Sequence, residues 1–186
     1  ALHTKSFWIM FFMETAATTI FFMVLVHLVA HSTDSGVSLS TAITFLSVIG
    51  AAIIGGQVLG GVLGDRFGPR WIFAGGLMVC TLALVWLSVS NDLWMFYIFA
   101  IAFGSGAGAW SPQLPSIIAR IFGTRHLGAI WGTVLLGEGI GGISGPIIAG
   151  YIFDSTGGYF VAFAIAAAIG IAGVALTLIL SDLPYG

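Results

Sequence analysis

Charged residues are 6% and hydrophobic residues 59% of a 186-residue chain whose mean hydropathy is +1.11, which excludes an ordinary soluble domain and points to a lipid bilayer as solvent. A formal net charge of -2 excludes a basic surface for nucleic acid, and a single cysteine, Cys80, excludes an intramolecular disulfide. Apolar runs recur along the whole length, so the first of them reads as a span and not as a removable signal.

A helix needs about 20 mostly apolar residues to cross the hydrocarbon. Runs of that length, bounded by charge, Gly or Pro, predict six spans at 7–30, 39–63, 71–89, 93–118, 127–153 and 159–180. The short alternating segments of a membrane barrel are missing. The fold class is therefore an all-α membrane protein.

Span 1 follows Lys5 and carries Glu14, roughly 10 Å in at 1.5 Å per residue. Thr15, Thr18 and Thr19 continue a polar stripe, which is expected to face a cavity. At its far end His27 and His31 are one turn apart near Asp34. That spacing suits a metal, but interfacial histidines are usually solvated, so no metal and no cofactor is expected.

Span 2 places Gly56, Gly60 and Gly64 at every fourth position beside Gln57. The loop after it, "GGVLGDRFGPRW", crowds Gly61, Asp65, Arg66, Gly68 and Arg70 between two apolar runs. Span 3 has no ionisable group beyond Cys80 and is expected to face lipid. Span 4 is interrupted by "GSGAGAWSPQLPS", where Pro112 and Pro115 remove backbone donors. Trp110 and Gln113, beside that break, are candidates to stack on and hydrogen-bond a solute.

Span 5 repeats the glycine spacing at Gly137, Gly141 and Gly145, followed by Pro146. Such faces let helices approach closely, either as a static seam or as a sliding surface between bundles. Glu138 stands about 17 Å into this span, near the midplane. Ionisable groups at that depth are functional by default, so Glu138 with Glu14 is a candidate to take up and release protons. Span 6, like span 3, has no ionisable group and is expected to face lipid. Trp8, Trp71 and Trp94 read as interfacial anchors.

Lys5, Arg66, Arg70, Arg120 and Arg125 all fall on one side of these spans, whereas Asp34, Asp92 and Asp154 mark the opposite loops. Basic residues favour the cytoplasm, so both termini are expected there, with the plasma (inner) membrane as the location. The spacing G-x3-D-x2-G at Gly61, Asp65 and Gly68 recurs at Gly150, Asp154 and Gly157, and the same offset pairs Gly56 with Gly145 and Gly50 with Gly139. The expectation is two three-helix repeats, about 1–90 and 91–186, which an odd span number inserts in opposite directions. An enzyme does not fit: Gly104-Ser105-Gly106 has no histidine base in the later spans. A channel does not fit either, without a sensor or filter sequence.

The run Gly61-Val-Leu-Gly-Asp65-Arg66-Phe-Gly68-Pro-Arg70 resembles the signature cytoplasmic loop of the major facilitator superfamily. "KSFW" before span 1, "HLVAHSTDSGVS" after it, "GPIIAG" in span 5 and "FDSTGGYFVAF" before span 6 are similar to C-terminal halves of its monocarboxylate and oxalate/formate-like branches. The resemblance implies half of a major-facilitator fold, spans seven to twelve of a transporter that works by alternating access. Ala1 in place of an initiating Met fits a fragment or a processed chain.

The expected partners follow: a small solute, the bilayer, and an N-terminal six-helix half or a second copy of the chain. The resemblance makes the Asp65 loop a latch for the outward-facing state, whereas the positive-inside bias alone would make it a topology-setting turn. It suggests a monocarboxylate or related anion. Gln57, however, stands where those branches carry Arg, and Ile53 stands where some carriers have a proton-coupling Asp. A neutral or cationic solute is thus equally open. A noncatalytic assembly subunit and a homodimeric half-carrier are the alternatives.

Overall fold

A computed structural model describes residues 2–180, and every element in it is helical. Helix α1 (Lys5–Asp34) starts where the Thr4 side chain accepts the Phe7 N–H, and α2 (Leu39–Phe67) where Ser38 accepts that of Thr41. A hydroxyl at this position satisfies one of the donors left over by the first turn. Gly68, at φ +99°, ends α2, and Pro69 opens α3 (Pro69–Leu87). Proline costs nothing there because its missing donor would be unpaired anyway. Helices α4 (Leu93–Trp110) and α5 (Gln113–Phe122) form one span broken at Ser111 and Pro112. Helix α6 (Leu127–Thr156) runs through Pro146 to Gly157, and α7 (Phe160–Ile179) completes six spans.

Six helices stand where the six runs are predicted, and four of them outlast their runs, while α3 stops two residues short of its predicted end and α7 falls within its run. Helix α1 continues past Ala30 because the His31 ring packs edge-on against Phe96, Tyr159 and Phe163. Charged Asp65 and Arg66 stay helical because only Gly68 supplies the left-handed φ that ends the helix.

Packing follows a simple rule. Helix α1 pairs with α6 and α2 with α4, while α3 and α7 pack on each other and on α4 and α1, respectively. Exchanging α1 for α4/α5, α2 for α6 and α3 for α7 leaves this pattern unchanged. The glycine rows make the two edge pairings. A Cβ at Gly56 would meet the Ser105 carbonyl oxygen, and one at Gly60 would lie 2.7 Å from the Ala109 Cα. On α6, a Cβ at Gly141 would lie 2.6 Å from the Thr15 carbonyl oxygen, and one at Gly145 would meet that of Thr19. Gly137 faces Thr15 and Phe11, and Gly64 faces the Gln113 side chain. These rows therefore lie in seams inside the six-helix unit.

Spans 3 and 6 present the expected apolar face, on one side only. Helices α3 and α7 expose one apolar face, including Val79, Leu82, Val85, Ile165 and Ile171, but bury the other against α1 and α4. Helices α2 and α6, at the edges, are the less buried, with Ile54, Val58, Leu59 and Val62 outward on one and Leu136, Ile140, Ile143 and Ile147 on the other. Polarity identified the cavity-lining spans but not the uncovered ones, because burial depends on neighbours as well as on composition.

Pro146 removes a rung from α6. Nearby, His27 of α1 places Nε2 3.0 Å from the Pro146 carbonyl oxygen and Nδ1 3.3 Å from the Tyr159 hydroxyl. A carbonyl only accepts, so Nε2 carries the proton and Nδ1 accepts from the tyrosine. The two histidines thus pack between helices, with His31 among aromatic rings, and among the described residues no metal cluster forms. We expect His27→Leu to lower stability by about 1 kcal/mol, the scale of an interhelical hydrogen bond in a membrane, and thermal unfolding in detergent measures it.

Candidate functional site

A cavity of about 270 Å³ opens between α1, α2, α4/α5 and α6. Each helix contributes one stripe. Glu14, Thr18 and Phe21 come from α1, Ile53 and Gln57 from α2, Ala107, Trp110 and Leu114 from α4/α5, and Trp131, Leu135 and Glu138 from α6. These are i, i+3/i+4 and i+7 sets, the spacing that puts residues on one face of a helix.

Glu14 is the most enclosed ionisable group on this wall, at 4% exposure, and its Oε2 has no hydrogen-bond partner among the described residues. Thr18 does not supply one, because its hydroxyl donates to the Glu14 backbone carbonyl at 2.8 Å. Glu138 faces the same space from α6 and is half-buried. No Lys, Arg or His stands among the lining residues. A bare carboxylate in such a place costs several kcal/mol, so Glu14 needs a proton or a cation beside it.

Trp110 is held against Phe73, ring centres 5.4 Å apart, and Phe21 stacks on Phe103 at 6.1 Å. Packing fixes both rings at the wall. Gln57 is exposed on α2 and turns toward the cavity.

Gln113 departs from its expected role. It is 3% exposed and its amide donates to the carbonyls of Gly60, at 2.9 Å, and Ala109, at 3.1 Å. It clamps the broken span to α2, below the central cavity, where Pro112 supplies no backbone donor. The threonine stripe also divides. Thr18 lines the cavity and also faces Gly141 in the α1–α6 seam, whereas Thr15 and Thr19 lie in the seam alone, with hydroxyls donating to Phe11 and Thr15.

On the side that holds Lys5, Gly61 and Asp65 line a second cleft with Pro112, Ser116 and Arg120. Arg66 lies 5.3 Å over the Phe67 ring and Arg70 4.9 Å over that of Trp71, and Arg70 Nη1 also donates to the Leu180 carbonyl. Both loop arginines have an aromatic neighbour, and Arg120 is the basic residue that lines the Asp65 cleft. Sequence reasoning named Arg120 only for topology and missed Phe21, Phe22 and Trp131 on the cavity wall. The signal was present, since Phe21 and Trp131 each stand seven residues from a cavity glutamate.

A family model described as Major Facilitator Superfamily matches residues 7–185. Monocarboxylate transporter 13 of Rattus norvegicus is 34% identical over 164 residues, which cover 86% of this chain and 38% of that protein. The chain thus spans less than half the length of this relative. Among solved structures, a peptide transporter POT in complex with sulfate aligns with a TM-score of 0.82 at 20% identity, over 95% of this chain and 37% of that one. The E. coli fucose:proton symporter gives a TM-score of 0.79 at 15% identity, over 97% and 44%. At these identities the two structures establish the fold.

Proposed function

The chain belongs to the Major Facilitator Superfamily, and from that premise we propose that it supplies six helices of a secondary active transporter, moving a small solute by alternating access with Glu14 and Glu138 carrying a coupling proton. The observation that carries this reading is the buried Glu14 carboxyl, its Oε2 without a partner, on a cavity shared with a second carboxyl. When such a cavity changes between wet and enclosed, the preferred charge of its carboxyls changes with it.

The uncovered apolar faces of α2 and α6 suit either an N-terminal six-helix half or a second copy of the chain. The exchange symmetry of the packing supports inverted repeats at 1–90 and 91–186, of which 1 and 181–186 lie outside the described residues. With the basic loops in the cytoplasm, both termini lie there and the site is reached across the plasma (inner) membrane. An anionic solute such as the monocarboxylate in the rat relative's name would draw its cation from outside these six helices, since the cavity wall here has none.

The test is reconstitution of the complete gene product in liposomes, with uptake of carboxylates, amines and sugars followed with and without a proton gradient. Gradient-driven uptake of one class, abolished by a protonophore, is expected; uptake indifferent to the gradient would remove the proton from the reading.

Asp65 is the latch residue in this reading, held at the end of α2 in the cleft with Arg120. We expect Asp65→Asn to slow uptake roughly tenfold, the rate equivalent of about 1.4 kcal/mol, at unchanged abundance in the membrane. Normal uptake by that variant would leave the loop as a topology-setting turn.

A further inference from the structure

We propose that the Glu14–Glu138 cavity receives an organic cation, a protonated or quaternary amine or a comparable onium centre on an apolar body. The proposal rests on reading this cavity as the transport site, and it adds the charge and shape of the solute. Three observations lead to it.

The first is the balance of charge. Two carboxyls face the cavity, and the neighbouring elements bring no opposing cation: α2 offers Gln57, α4 offers Trp110, α5 offers Leu114, and α6 offers Glu138 itself with Trp131. Helix α7, behind Glu14, approaches α1 through Gly173 at Ala16 and Thr177 at Met13. An anion here would meet two like charges and no basic residue of this chain.

The second is the orphaned oxygen. Glu14 Oε2 is enclosed and lacks a donor among the described residues, while the Thr18 hydroxyl on the same wall is already engaged with backbone. An ammonium group supplies both the missing donor and the missing charge. A quaternary centre supplies the charge alone.

The third is the wall. Phe21, Phe22, Trp110 and Trp131 surround the carboxyls with aromatic rings, and Leu114 and Leu135 fill between them. Aromatic faces attract cations within about 6 Å, most strongly where water is excluded. Carboxyls set among rings and leucines hold the charged head and the greasy body of one molecule, a combination that neither a small carboxylate nor a sugar presents. Proton and cation then compete for the same carboxyls, so that entry of one favours release of the other.

Tetraphenylphosphonium, a permanent cation with an apolar surface, is the probe, and its equilibrium binding to the complete gene product in nanodiscs is the measurement. Saturable binding is expected, weakened about tenfold by Glu14→Gln and by Glu138→Gln, and several-fold by Trp131→Leu. It should also weaken on acidification, as protons occupy the carboxyls. Benzoate should not compete. Should Glu14→Gln fail to give a monodisperse protein, Glu138→Gln and Trp131→Leu, at half-buried and exposed positions, decide the matter.

No saturable binding, or binding unchanged in the glutamine variants, would overturn the proposal. Proton-driven uptake of a carboxylate by a protein that ignores tetraphenylphosphonium would sink the cation while sparing the transporter. Binding that needs both glutamates, in a protein whose uptake ignores the proton gradient, would keep the cation site and sink the coupling.

Discussion

Gly141→Leu and Gly56→Leu are expected to remove folded protein from the membrane, whereas Gly139→Leu and Gly50→Leu on the same two helices leave it in place. Around Gly139 and Gly50 a new Cβ would meet nothing within 4 Å. At Gly141 it would lie 2.6 Å from the Thr15 carbonyl oxygen and 2.8 Å from the Thr19 nitrogen, and at Gly56 it would meet Ser105 and lie 3.0 Å from the Gly108 Cα. These contacts are with backbone, which cannot rotate aside, so the helices themselves would have to separate. Overpacking of this kind costs about 1–3 kcal/mol for small additions. A leucine adds more, and it breaks the close approach on which helix association in lipid depends. Yield and monodispersity in size-exclusion chromatography measure the effect. Equal behaviour of all four variants would mean that the seams are not what holds α1 to α6 and α2 to α4.

The second large effect belongs to the carboxyls. Glu138→Gln is expected to abolish proton-driven accumulation, by at least about tenfold, while exchange of labelled for unlabelled solute across the same membrane persists at saturating solute. Exchange needs the cavity to open to each side in turn, and accumulation also needs a proton to travel with or against the solute. Glu14→Gln should do the same, with lower stability, because Glu14 is 4% exposed and its substitute amide must find partners inside the bundle. Accumulation that survives both substitutions would assign the proton to residues beyond this cavity. Loss of both accumulation and exchange would instead make the carboxyls part of solute binding alone.

The differences between sequence and structure gather at residues whose role depends on a neighbour. Gln113 is polar, buried and next to a proline break, which in sequence is equally a ligand or a clamp; only the carbonyls of Gly60 and Ala109 within 3.1 Å decide between them. Thr15, Thr18 and Thr19 follow one another closely on α1, and the approach of α6 puts all three against its glycine row while only Thr18 also reaches the cavity. His27 reads as an interfacial histidine until Pro146 and Tyr159 close around it.

By itself, the sequence determined the six spans and their approximate places in the chain. It could do so because a helix in lipid must satisfy its backbone internally and exclude charge along its whole length, which is a local requirement written into every run of residues. It also marked the cavity stripes, since period 3.6 is a property of one helix. The tertiary structure alone decided that Glu14 and Glu138, from helices far apart in the chain, face one space without a cation, that the glycine rows close within the bundle, and that α2 and α6 are left uncovered. Nothing in lipid rewards apolar burial as water does, so which helices meet is set by the fit of small residues against backbone. That fit exists only once both partners are in place.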